Sequence, residues 1–125
     1  MTAEKTENKI TSFKDLRVWQ EGMALTEMVY QLCAQLPKEE IYGLASQMKR
    51  AVVSIPSNIA EGHSRKHRAE YRQFVYIAVG SLAELETQIQ IAQNLQFVKS
   101  ENLELLKNKI DHLRAMLITL GGKLS

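Results

Sequence analysis

The chain has 125 residues, 45% hydrophobic and 24% charged, with a formal net charge of +2, which is one domain's worth of polypeptide with enough apolar side chains for its own core. Six glycines and two prolines are too few for a β-rich, turn-rich fold, and the single cysteine, Cys33, excludes an intramolecular disulfide. No apolar run approaches the roughly 18 residues that a membrane helix needs.

Residues 1–11 are polar and mixed in charge. They read as a flexible N-terminal arm, and they lack the apolar centre of a signal peptide. The expectation is therefore a cytoplasmic protein with a single domain over 12–125. Ser12 and Asp15 are plausible caps, since their oxygens can accept the orphan N–H groups of a helix start. From Phe13 the first helix carries two apolar stripes. One is Leu16, Trp19, Met23, Thr26, Tyr30 and Cys33; the other is Leu25, Val29, Leu32 and Leu36. Together they make a face wide enough to touch two neighbours. Pro37 stops this helix, having no N–H to donate and a ring that clashes with the preceding turn. Cys33, set among apolar residues with no base beside it, reads as a small buried hydrophobe.

Lys38 to Gly43 form a connector, and the second helix starts near Leu44. Met48, Ala51, Val52, Ile55 and Ile59 share one face, and residues 51–60 carry no charge. A helix apolar on most sides belongs inside a bundle or in a subunit interface. Pro56 removes one backbone bond, which predicts a kink rather than a break, with Ser54, Ser57 and Asn58 satisfying the freed carbonyl or capping a restarted helix. Gly62 is the expected stop, and His63 to Arg68 form a charged turn. The third helix runs from about Ala69 to Leu95, with Phe74, Ile77, Ala78, Leu82, Leu85, Ile89 and Ala92 at helical spacing. Gly80 and Ser81 suggest close approach of another helix. Ser100 caps the fourth helix, whose stripe is Leu103, Leu106, Ile110, Leu113, Leu117 and Leu120, and Gly121-Gly122 ends it. Four long helices with short loops predict an all-α, antiparallel up-down-up-down four-helix bundle. The surplus of apolar surface on the first two helices predicts a homo-oligomer.

No nucleophile triad, glycine-rich phosphate loop or zinc cluster is present in the sequence. The expectation is a non-enzymatic protein without cofactor or metal. His63 and His67 sit four apart beside Glu61 and Glu70, the spacing of two metal ligands on one helical face, but Gly62 interrupts that helix and they read as solvated turn residues. Glu84 and Glu86 are two apart and diverge around a helix, so they share no site. Glu86 lies on the buried side and calls for a cation; Arg50 is the expected partner in a structural ion pair. The basic residues Lys49, Arg50, Arg65, Lys66, Arg68 and Arg72 fall in one stretch, and Tyr71 and Tyr76 lie close by. This reads as a positive cap at the turn between helices two and three, able to bind phosphates by Coulomb attraction and counterion release, with the rings stacking on bases. The competing reading is a protein-interaction scaffold without affinity for nucleic acid.

Three stretches carry a family resemblance: FKDLRVW at 13–19, SQMKRAVVSIPSNIAEG at 46–62 and GSLAELETQ at 80–88. They resemble the bacterial four-helix-bundle proteins encoded within intervening sequences of large-subunit ribosomal RNA genes, which are similar to the accessory variability determinant of diversity-generating retroelements. The resemblance covers nearly the whole chain after residue 12. It implies a homopentameric ring with a non-enzymatic role, and partners that include RNA or DNA and, by analogy with the retroelement relative, a reverse transcriptase. Lys49, Arg50 and Arg65 match basic positions of the family pattern. Lys49 stands where arginine is usual, replacing a planar fork with a point charge.

Overall fold

In the computed structural model the described residues are 10–99, 101 and 103–125. They form four α-helices and no strand: α1 (Arg17–Cys33), α2 (Leu44–His63), α3 (Arg68–Asn94) and α4 (Leu103–Lys123). The N-terminal arm, apart from its last two residues, and the Ser100 cap lie outside the described residues. No helix is long and apolar enough to cross a membrane among these residues.

The start of the domain is two pieces rather than one helix. Ser12 caps a single 3-10 turn, Phe13–Asp15, with its Oγ accepting from the Lys14 N–H at 2.9 Å. Asp15 answers from the other side. Its Oδ2 accepts from the Thr11 N–H and hydroxyl, each at 2.9 Å, and from the Ser12 N–H at 3.1 Å. Leu16 then adopts extended backbone, and α1 begins after it. Across this joint the Phe13 and Trp19 rings meet edge to face, 5.4 Å apart. The hydrogen bonds from Thr11 first, then Ser12, hold the Asp15 carboxyl below its ordinary 3.8. A folded-state pKa lowered in this way stabilises the turn fully above about pH 4, and the stabilisation vanishes as pH falls through the lowered value. Trp19 is the chain's only tryptophan and reports the event. Its emission should change on acidification of the wild type, and Asp15→Asn should show the acid-form emission already at neutral pH. An identical, flat pH profile for both proteins would contradict this.

Each helix packs along its sequence neighbours, and α4 closes back on α1. From α1, Leu25, Val29 and Leu32 enter the core; from α2, Met48, Val52, Ile55 and Ile59; from α3, Val75, Ala78, Leu82, Leu85 and Ile89; from α4, Leu103, Leu106, Ile110, Leu113 and Leu117. The stripes predicted for α2 and α4 are buried nearly throughout. The second of the two stripes read for the first helix is core throughout, and the first is buried only at Cys33. Met23 and Tyr30 of the first are 40% and 45% exposed, and Trp19 and Thr26 are half-buried. On α3, Val75 takes the place expected of Phe74 and Ile77 in the core, and Ile77 faces outward.

Pro56 lies inside α2, which continues past it to His63. Its missing N–H frees the Val52 carbonyl, and none of the three expected residues reaches it. Ser54 donates to the Ala51 carbonyl at 3.0 Å and Asn58 to the Ser54 carbonyl at 2.7 Å. The nearest hydroxyl is that of Thr26 on α1, at 3.5 Å, and this group also bonds the Gly22 carbonyl at 2.8 Å. Gly22 itself lies against the Pro56 ring.

Gly62 does not end α2, which continues to His63, and it is buried. A Cβ placed there would sit 2.6 Å from Phe74 Cβ, so the residue is small because α3 crosses at that point. Gly80 corrects the sequence reading in the other direction, since nothing lies within 4 Å of its missing side chain. The close approach is at Ser81, buried, whose hydroxyl meets that of Ser54 on α2. Gly121 likewise lies within α4 rather than ending it, and the Tyr76 ring fills the space of its absent Cβ.

One buried polar group has no counterpart in the sequence pattern. Gln88 is 5% exposed; its amide nitrogen is 3.5 Å from Glu84, and among the described residues its Oε1 has no hydrogen-bond partner. A buried acceptor left unpaired costs about 1–3 kcal/mol. Gln88→Met keeps the volume and removes the acceptor, and it should raise stability in urea by about 1 kcal/mol. A loss of stability would mean that Oε1 is satisfied in solution.

Candidate nucleic-acid interface

The six basic residues singled out in the sequence do not form one patch. Lys49 and Arg50 lie in the first two turns of α2. At 1.5 Å of rise per residue, the remaining helix carries them about 20 Å from the turn that follows. Lys49 extends its ammonium over the Tyr30 ring of α1, 5.0 Å from the centroid. Arg50 lines a groove of about 430 Å³ with Gln47, Ala51, Ser54 and Glu84.

Glu86 is not paired with Arg50. Its carboxylate bonds the Arg114 guanidinium on α4, which also holds Asp111 at 2.9 Å. Helical spacing placed Glu86 on an inward-leaning side of α3, and that side faces α4 rather than α2. Both partners are partly exposed, so the pair adds little to stability.

The other four cations stay together. Arg65 and Lys66 are in the turn, and Arg68 and Arg72 occupy the first turns of α3. Arg65 forms an ion pair with Glu61 at 2.9 Å and lies over the Phe74 ring, 5.0 Å from its centroid. Arg68 donates to the Lys123 carbonyl at the end of α4. That bond brings Lys123 into the cluster, a residue far away in sequence that local spacing does not signal. Arg72 lies over the Tyr76 ring at 5.1 Å. Lys66, Arg68 and Arg72 are exposed. The acids at this end include Glu61, already paired with Arg65, and Glu70, in the first turn of α3 where a carboxylate favours the helix dipole.

The two tyrosines part company. Tyr71 packs edge-on against His63, 5.6 Å between centroids, and against Gly62. Burial pushes its phenol pKa up, and its ring is part of the α2–α3 contact. Tyr76 is 39% exposed and available. His67 is exposed at the start of α3. No group of three or more His, Cys, Asp or Glu able to hold a metal occurs among the described residues. Cys33 is buried, with its sulfur 3.8 Å from the Ala45 carbonyl. Burial raises its thiol pKa, against an opposing pull from Lys49, which makes it a poor nucleophile.

The arrangement gathers several cations at one end of the bundle, with an exposed ring beneath one of them.

The sequence profile of the 23S rRNA-intervening sequence protein family matches residues 14–119. Among solved structures, the chain is similar to a protein with unknown function from the S23 ribosomal protein family from Bacteroides thetaiotaomicron. The two are 20% identical with a TM-score of 0.76, over 82% of this chain and 96% of the other. At that identity the likeness speaks to the fold. No curated protein matches the chain.

Proposed function

The chain belongs to the 23S rRNA-intervening sequence protein family, and on that premise we propose a non-enzymatic accessory protein that assembles into a homopentameric ring and binds nucleic acid through the basic end of each bundle. The observation that carries the binding role is the convergence of Arg65, Lys66, Arg68, Arg72 and Lys123 at the α2–α3 turn. With +2 per chain, one copy is a weak polyelectrolyte partner; a ring multiplies the local field without changing the chain.

An antiparallel course of the helices strengthens the cluster. Along α1 and α2, Gly22 meets Pro56, Tyr30 meets Lys49, and Cys33 meets Ala45. Along α3 and α4, Tyr76 meets Gly121, Glu86 meets Arg114, and Gln93 meets Lys107. In both pairs the numbers rise on one helix as they fall on the other, which supports the up-down-up-down topology. This course brings Lys14 and Arg17 to the basic end as well, with Asp15 between them.

Self-assembly is supported by apolar surface that the bundle leaves uncovered. Between α1 and α2 runs a groove of about 310 Å³ lined by Trp19, Met23, Thr26, Val53, Pro56, Ser57 and Ala60. Elsewhere, on α3 and α4 and the loop between them, Ile91, Leu95 and Leu105 are exposed. An apolar groove on one pair of helices and exposed apolar side chains on the other pair suit head-to-tail contact, which closes into a ring when the rotation allows. Light scattering at micromolar concentration should return five times the 14.2 kDa chain mass; a monomer mass would sink the ring.

A protein-interaction scaffold is the second reading. It draws support from Arg65 and Arg68, whose guanidinium groups already have partners within the chain. It predicts no retention of labelled RNA or DNA at low salt, where phosphate contacts are strongest.

A further inference from the structure

Tyr76 and Arg72 form a built feature rather than a loose pair of surface side chains. A Cβ on Gly121 would lie 2.8–2.9 Å from two ring carbons and the hydroxyl oxygen of Tyr76. The ring therefore sits against the α4 backbone, in space that only a glycine leaves free. Arg72, one helical turn away on α3, lies over the ring at 5.1 Å. The guanidinium is thus supported from below by an aromatic surface that is itself supported by α4. Beside it lies an open groove of about 510 Å³, lined by Ala69, Arg72, Gln73, Tyr76 and Ile77. Ala69 contributes only a methyl group, which leaves the approach to Arg72 clear. Gln73 sets an amide, both donor and acceptor, at the groove's edge. Arg68 and Lys123, linked through the Lys123 carbonyl, supply charge within a turn of this shelf.

A guanidinium held over an aromatic ring on an exposed side chain can serve as a stacking surface for a nucleobase. The bases of a duplex are stacked on one another and present only their edges, so a shelf of this kind selects a base that is already unstacked. We propose that the Arg72–Tyr76 shelf takes an unstacked nucleobase, so that this end of the bundle binds single-stranded nucleic acid in preference to duplex. The proposal rests on the basic end being a nucleic-acid interface, and adds which form of nucleic acid it takes.

The test is fluorescence anisotropy with labelled single strands of about 12 nucleotides, one RNA and one DNA, and the DNA duplex of the same length, a size that spans the site of one binding module. The protein is the full chain. Arg72→Lys keeps the positive charge and loses the plane; Tyr76→Leu removes the ring beneath it. Wild type should bind at least one of the single strands about tenfold more tightly than the duplex, and Arg72→Lys and Tyr76→Leu should each weaken that binding by about 5- to 100-fold, the range of one lost base stack. The salt dependence should stay as it was in Arg72→Lys, and duplex binding should not move. Comparison of the RNA and DNA strands shows which sugar the site accepts. Wild-type affinity in Arg72→Lys, with folding confirmed by circular dichroism, would overturn the shelf and leave Arg72 as a phosphate contact within an intact nucleic-acid interface. Equal affinity for duplex and single strand would do the same. Failure of the wild type to bind any of the three would overturn both the shelf and the interface.

Discussion

Gly62→Leu should leave no folded bundle, and Gly62→Ala should lose about 1–3 kcal/mol in urea denaturation followed by helical circular dichroism. The argument is local. Gly62 is buried in the last turn of α2, where a Cβ would lie 2.6 Å from Phe74 Cβ, 3.1 Å from Tyr71 Cδ1 and 3.3 Å from the Tyr71 carbonyl oxygen. Phe74 Cβ is fixed to the α3 backbone and cannot rotate away. Relief requires the two helices to move apart, and they are packed along their length, with the Ser54–Ser81 hydroxyl contact further along. Alanine gains about 1 kcal/mol of helix propensity over glycine, and the clash outweighs it. Gly80 is the internal control. It lies in the middle of α3 with nothing within 4 Å of its absent side chain, so Gly80→Ala should gain about 0.5–1 kcal/mol. Equal stability for the two alanine variants would contradict the close crossing at Gly62.

The second large effect is on binding. Reversing Arg65, Lys66 and Arg68 together to glutamate should weaken nucleic-acid binding by about 100-fold or more at moderate salt and reduce the log–log salt slope by about 2 for a single strand. The three side chains are exposed, and their surface contacts are each worth under about 1 kcal/mol, so the fold should survive. Lys49→Glu with Arg50→Glu is the positional control: two reversals against three, about 20 Å along α2 from the turn. It should weaken the same binding by less than about threefold, since a Debye length near 10 Å screens charges so far apart. Equal losses from the two sets would mean that the whole α2 surface, rather than its end, meets the ligand.

The helices were legible because their apolar periodicity is strong. The stripe of α4, from Leu103 to Leu117, is buried as read, and the starts of α2 and α3 fall within a residue of expectation. The choice between the two stripes of α1 was not legible. Both are apolar, and only packing against α2 and α4 decides that Leu25, Val29 and Leu32 turn inward while Met23 and Tyr30 stay out. Glycine misled in a consistent way. Gly62 and Gly121 look like helix ends in a sequence, yet each lies inside a helix where another element presses close, and that pressure comes from residues distant in the chain. Glu86 shows the limit of a helical wheel. The wheel gives the side of α3 that the carboxylate occupies, and only the arrangement of helices shows that Arg114 is there instead of Arg50. The basic site divides for a similar reason. Lys49 and Arg50 are near Arg65 in sequence, but a helix turns fifteen residues into distance, while Lys123 comes in from the far end of the chain.

The most direct test of the binding role is a salt titration of the wild-type chain on a labelled single-stranded RNA and the matching DNA, starting from about 50 mM salt. Micromolar or tighter binding to at least one, falling linearly on log–log axes with a slope of several charges, is the predicted result. Absence of binding to both at the lowest salt would contradict it, and would leave the basic end as a surface for a protein partner.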